Sequence, residues 1–181
     1  MWRARPRRGL TDGDLARQRA HEPLDADAER LAAQRQDYTG DEPSFFGPLQ
    51  PGETLQDSVV LSDGLPQGLA ARLGGCYQLL YFVRGDGLLD DEERRMLHAL
   101  LRARTPVLPL LITRGGLKIQ GFESLVDMEG ELARRCDARA RTSYLLDPQA
   151  RVLARWRRLN LDEVGKAMAR SGAQGAGEPA G

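Results

Sequence analysis

The run Tyr77-Gln-Leu-Leu-Tyr-Phe-Val83 lies between two sets of turn residues, Gly74-Gly75 before it and Arg84-Gly85-Asp86-Gly87 after it. A short apolar run so bounded reads as a strand buried on both faces, and it is the expected centre of a sheet. The period then becomes helical. Met96, Leu97, Leu100 and Leu101 share one face, Asp90-Asp91-Glu92-Glu93 supply an acidic first turn, and Pro106 stops the element. Val107–Thr113 reads as a second buried strand, in which Pro109 marks a bend or an unpaired side. Residues 114–125 read as Gly-rich and irregular, and 126–136 as a helix with Leu132 and Cys136 on one face. Thr142–Leu146 and Arg151–Trp156 flank Asp147-Pro148-Gln149-Ala150, a turn sequence, so the two pieces are expected to pair as a hairpin. Asn160 is placed to cap a last helix that buries Leu161, Val164 and Met168.

Upstream of the central run the signals are thinner. Ser58–Leu61 is a candidate edge strand, closed by Ser62-Asp63-Gly64. Leu65, Leu69 and Leu73 at four-residue spacing predict a short helix ending at Gly74-Gly75. Residues 39–56 read as a Pro/Gly linker anchored by Phe45 and Phe46, because Pro43, Pro48 and Pro51 each interrupt a helix. Residues 1–38 form a polar extension with one helical stripe, Leu24, Ala28 and Leu31, and 171–181 a flexible tail. The domain proper is expected over 57–170. Counted from Tyr77 the order is strand, helix, strand, helix, strand, strand, helix, which is the thioredoxin-like order. The expected class is therefore α/β, a thioredoxin-like mixed sheet flanked by helices with an N-terminal helical or irregular extension.

Charge narrows the function classes. The 26 basic residues balance 26 acidic ones, which argues against a general polyanion binder, and only Lys118 and Lys166 among the basic residues are lysines. Cys76 and Cys136 form no Cys-x-x-Cys pair, and two free thiols suit a reducing cytoplasm, with a single disulfide as the open alternative. No run approaches the ~18 apolar residues of a membrane span. The basic start, Met1 to Arg8, has no apolar stretch behind it, so no signal peptide is read there. A cytoplasmic protein without membrane or nucleic-acid partners is expected.

A working thioredoxin carries Cys-x-x-Cys after its first core strand, where a helix N-terminus lowers a thiol pKa. Here that place holds Arg84-Gly85-Asp86-Gly87-Leu88-Leu89, and Arg141-Thr142 stand where a cis-proline is expected. Cys76 lies at the other end of the strand and Cys136 in a later helix, so both are read as structural. Gly85-Asp86-Gly87 is a plain turn without the rest of a dinucleotide motif. His21 and His98 have no partner at metal or triad spacing. No catalytic, cofactor-binding or metal residue is expected. One asymmetry remains: eight arginines stand against two acids between Leu132 and Arg158. Arg151, Arg155 and Arg157 alternate with Val152, Ala154 and Trp156, which predicts an outward basic face and an inward apolar one. That face is either a docking surface for an acidic partner or a plain solvated sheet face.

The hairpin carries a resemblance. Arg135-Cys136-Asp137-Ala138-Arg139, Thr142-Ser143-Tyr144-Leu145-Leu146-Asp147-Pro148 and Arg151-Val152-Leu153-Ala154-Arg155-Trp156-Arg157 resemble the end of FAD-dependent aromatic-ring hydroxylases. These are the phenol and 3-(3-hydroxyphenyl)propionate hydroxylase type, whose C-terminal domain is thioredoxin-like. Pro48-Leu49-Gln50-Pro51-Gly52 and Leu73-Gly74-Gly75 look like that domain's opening, and the likeness covers roughly residues 38 to 170. Asp147 stands where the family often has Arg, Arg151 where it often has His, and Ala140-Arg141 replace a common Pro-Gly. The family's flavin-binding motifs have no counterpart in this chain, so the resemblance implies a domain that holds no FAD and does not hydroxylate alone. It implies an assembly or docking module, or a split subunit, whose partner is a flavin hydroxylase subunit or a second copy. A thiol oxidoreductase or peroxidase using Cys76 or Cys136, and a gene fragment without a separate role, are the alternatives.

Overall fold

Asp63 and Gly64 both adopt positive φ, 53° and 79°, which is what a two-residue hairpin turn matched to strand twist demands. In the computed structural model, which describes residues 44–116 and 118–175, this turn joins β1 (Val59–Ser62) to β2 (Leu65–Gly68). The helix predicted from Leu65, Leu69 and Leu73 is thus replaced by a strand and a 3-10 turn, Leu69–Arg72, of which Leu69 is wholly buried. Asp-Gly chemistry overrides the leucine spacing. β2, and not β1, is the sheet edge, and its Pro66 removes a donor from a free edge.

The chain continues through β3 (Tyr77–Phe82), α1 (Asp91–Leu101), β4 (Val107–Thr113), β5 (Glu123–Val126) and α2 (Glu131–Arg135). β6 (Ser143–Leu146), β7 (Val152–Trp156) and α3 (Leu161–Gly175) complete it. The seven strands are ordered β2-β1-β5-β4-β3-β6-β7. β3 runs parallel to β4 and antiparallel to β6, so the sheet is mixed, as expected.

β5 was not foreseen. Glu123–Val126 pairs parallel to β4 and meets β1 at Leu61. The helix predicted over 126–136 shrinks to Glu131–Arg135, preceded by Gly130 in the left-handed region at φ 68°. Only Leu125 of the strand is buried, so a period-two signal of one residue had little to show. Asp127 caps the short helix, accepting from the N–H groups of Leu132 and Ala133. At the far end, α3 runs to Gly175, past the start of the predicted tail at Ser171. Its cap is the predicted one, Asn160 accepting from the Asp162 N–H. The predicted extension 1–38, with its helix and His21, and the tail beyond 175 lie outside the described residues.

Two cores sandwich the sheet. On one face Leu97 and Leu100 of α1 and Val164 and Ala167 of α3 join Leu79, Tyr81, Leu111, Leu145 and Trp156. On the other, Leu132 and Cys136 meet Leu80, Leu110, Leu125 and Tyr144. The segment Phe45–Leu55 is part of this second core, because Phe45, Leu49 and Leu55 are buried in it. The expected linker is therefore a strap across the sheet, anchored by Phe45, Leu49 and Leu55, and of the two phenylalanines only Phe45 serves, since Phe46 is exposed. It also bonds along the start of β7: Gly52 N–H donates to Val152 C=O at 2.7 Å and Val152 N–H to Glu53 C=O at 2.8 Å.

β7 carries an irregularity that decides its faces. Leu145 pairs with Ala154 but Leu146 with Val152, so Leu153 is an extra residue, a bulge. Because a one-residue shift exchanges faces, Val152 joins the strap-side core while Ala154 and Trp156 join the helix-side core.

Candidate functional site

Four side chains from three elements converge at one corner of the sheet. Tyr81 comes from the end of β3, Asp90 and Glu93 from the start of α1, and Arg141 from the turn before β6. Asp90 is the N-cap of α1 and Glu93 its N3 residue, and they form a full capping box: Asp90 Oδ1 accepts from Glu93 N–H at 2.8 Å, and Glu93 Oε2 from Asp90 N–H at 2.7 Å. Glu93 Oε1 accepts the Tyr81 hydroxyl at 2.6 Å and faces Arg141 Nε at 3.1 Å. Arg141 Nη2 reaches Asp90 Oδ2 at 2.6 Å. Arg141 itself sits at φ 71°, a conformation that costs a non-glycine residue about 1–2 kcal/mol. Its backbone N–H is tied to Phe82 C=O at 2.7 Å, so contacts on both sides hold it there.

The electrostatics are those of a closed network. Glu93 is buried, and a buried charge needs its partners. The Glu93 N–H, followed by the Arg141 charge, holds the Asp90 carboxyl below the usual carboxylate range. Burial, followed by the hydrogen bond to Glu93, pushes the Tyr81 phenol well above its ordinary value. Both Glu93 oxygens accept from donors within the chain, so this carboxylate braces the corner. Glu93→Gln keeps the shape but removes the charge facing Arg141, and it is expected to cost about 1–3 kcal/mol in urea denaturation. An unchanged midpoint would show that the network is dispensable.

The acidic helix start stands as predicted, and the Asp-x-x-Glu spacing could have flagged its capping box. Tyr81 and Arg141 carried no local signal for their part in it. Gly85-Asp86-Gly87 forms a turn, with Gly87 N–H donating to Arg84 C=O at 2.9 Å. Neither cysteine is at this corner. Cys76 is exposed just ahead of β3, a six-residue strand away and thus roughly 20 Å from the start of α1. Cys136 is buried, and burial, followed by the charge of Asp127, pushes its thiol up to about 12. Such a thiol stays protonated and is a poor nucleophile. His98 is half-buried with its ring 4.6 Å from that of Phe122. Among the described residues no three His, Cys, Asp or Glu side chains group to hold a metal ion.

The three arginines expected to project together do not. Arg151 is exposed and folds back on Asp147, Nε to Oδ2 at 2.8 Å. Arg155 is 1% exposed, donates to Leu49 C=O, and lies 4.6 Å from the centroid of the Phe45 ring. Arg157 packs over the same ring at 3.9 Å and binds Ser44 C=O and the Asp137 carboxylate, at 2.7 Å and 2.5 Å. Phe45 is therefore held by two guanidinium groups. The predicted open basic face is corrected to a covered one: alternation with Ala154 and Trp156 points Arg155 and Arg157 to the sheet face that the strap occupies, and the bulge adds only Val152 to that face. The Phe46 N–H, followed by the Arg157 contact, also holds the Asp137 carboxyl below its ordinary range.

No protein-family model matches the chain, and no curated protein does. Solved structures do. The chain is similar to a thiol peroxidase from Chromobacterium violaceum, with TM-score 0.54, 11% identity, and coverage of 71% of this chain and 90% of that one. A putative thiol:disulfide interchange protein DsbE from Chlorobium tepidum matches with TM-score 0.50, 14% identity, and 67% and 97% coverage. The flavin-dependent monooxygenase PieE, solved with FAD and substrate, matches with TM-score 0.51 and 23% identity over 66% of this chain. That match spans 19% of the monooxygenase. The fold is thus thioredoxin-like, and no helix among the described residues is long and apolar enough to cross a membrane.

Proposed function

We propose that the chain is a redox-inactive thioredoxin-like domain that acts by docking, as an assembly module or split subunit of an FAD-dependent aromatic-ring hydroxylase in the cytoplasm. One observation carries this reading. Where a thiol enzyme of this fold needs its reactive sulfur, Asp90, Glu93, Tyr81 and Arg141 satisfy one another. The hydroxylase part draws on the hairpin motif and is supported by the likeness to the flavin monooxygenase. The two hairpin positions that depart from the family pattern, Asp147 and Arg151, pair with each other. The departure is therefore self-consistent within the turn. The redox chemistry, in this reading, belongs to the partner.

A second reading is favoured by the exposure of Cys76 and by the thiol peroxidase likeness: a thiol oxidoreductase or peroxidase. Insulin-disulfide reduction and peroxide consumption, each with a thiol reductant, separate the two. The expected rates equal those of buffer and do not change in Cys76→Ser. A rate above buffer that Cys76→Ser abolishes would establish the thiol enzyme instead.

A further inference from the structure

The helix-side core does not reach across the whole sheet. Leu61 of β1 and Val126 of β5 stand opposite each other, and neither belongs to a buried cluster. With Met128, which is 67% exposed, they line a groove of about 520 Å³ together with Ser124, Arg114 and Lys118. Lys118 is engaged by Asp63 across the groove at 2.5 Å. Arg114 has no hydrogen bond or ion pair among the described residues. Its guanidinium lies against Gly130, where any Cβ would collide with it. The groove thus pairs an apolar floor with one uncompensated positive charge on its rim. Strand addition at the neighbouring edge is blocked by Pro66, so recognition here falls to side chains.

We propose that this groove docks an acidic, leucine-bearing segment of a partner protein, its apolar side chain over Leu61 and Val126 and its carboxylate on Arg114. A planar guanidinium with open donors binds a carboxylate bidentately, and removal of the leucine from water adds the non-directional part. The inference rests on the docking reading above, yet its test is separate, since thiol turnover would leave peptide binding untouched.

The probe is a fluorescein-labelled decapeptide of alternating Glu and Leu, titrated with the full chain by anisotropy, with a Lys-Leu decapeptide as its charge-reversed counterpart. The Glu-Leu peptide is expected to bind and to weaken as salt rises, and the Lys-Leu peptide not to bind. Arg114→Glu and Met128→Asp, both at exposed positions, should each weaken binding about tenfold, the loss of one charge-assisted or apolar anchor. Unchanged circular dichroism would keep either variant informative. Absence of binding, equal binding of the two peptides, or indifference to Arg114→Glu would overturn the proposal. So would a dimer in sedimentation velocity that Met128→Asp abolishes, because a second copy would then be the occupant.

Discussion

Arg155→Ala is expected to destabilise the domain by about 3–5 kcal/mol, the range for breaking a buried charged contact. The side chain is almost wholly enclosed, its guanidinium donates to the Leu49 carbonyl, and its face packs on Phe45. Truncation leaves that carbonyl buried without this donor, opens a void, and loosens the strap that closes the second core. Arg155→Met refills the void but not the hydrogen bond, so it should recover part of the loss and still cost about 1–3 kcal/mol. Arg151→Ala, in the same strand region, is expected to cost no more than about 1 kcal/mol. Arg151 is exposed, and Asp147 keeps the N–H groups of Gln149 and of residue 151. Urea denaturation of the three variants checks the ranking. Equal midpoints for Arg151→Ala and Arg155→Ala would mean that both arginines face water and that the strap is not part of the core.

Trp156→Ala is expected to cost about 3–5 kcal/mol as well, by a different route. Its indole lies in the helix-side core and is 3% exposed. α3 packs against β7, so the cavity would open beneath that helix. Trp156 Nε1 is also buried with no hydrogen-bond partner. An unmet buried donor costs about 1–3 kcal/mol, so Trp156→Phe, which removes the donor along with part of the ring, should lose much less than its change in size implies. A Trp156→Ala variant that unfolds at the parental urea concentration would place the side chain in solvent and reverse the faces of β7. A Trp156→Phe variant as unstable as Trp156→Ala would show that ring volume alone matters.

The four corner residues and the three hairpin arginines mark where local and distant information part. A strand such as Tyr77–Phe82 declares itself because nearly every side chain is apolar, and burial on both faces needs no partner to be named. The α1 start and the Asp147–Ala150 turn are equally local. An Asp at the N-cap and a Pro in second place of a turn act within three or four residues, through the backbone groups beside them. Hairpin pairing follows from that turn. Inward burial of Trp156 was also legible, since so large an apolar group in a strand is rarely left in water.

Contacts made across the chain were not legible in this way. Arg141 meets Asp90 over 51 residues of separation, and Arg157 meets Ser44 over 113. Alternation in β7 told that its two faces differ, and nothing in it told that Leu153 would bulge and reverse their order after Val152. Nor did it tell that Phe45 would cross that face and draw two arginines inward. Arginine has both an apolar stem and a planar cation, so its place is set by what covers it. Residues 114–126 failed for the related reason that a four-residue strand with one buried side chain is stabilised by its neighbours β1 and β4. Propensity within so short a segment is too weak to compete with pairing, and pairing is a property of the assembled sheet.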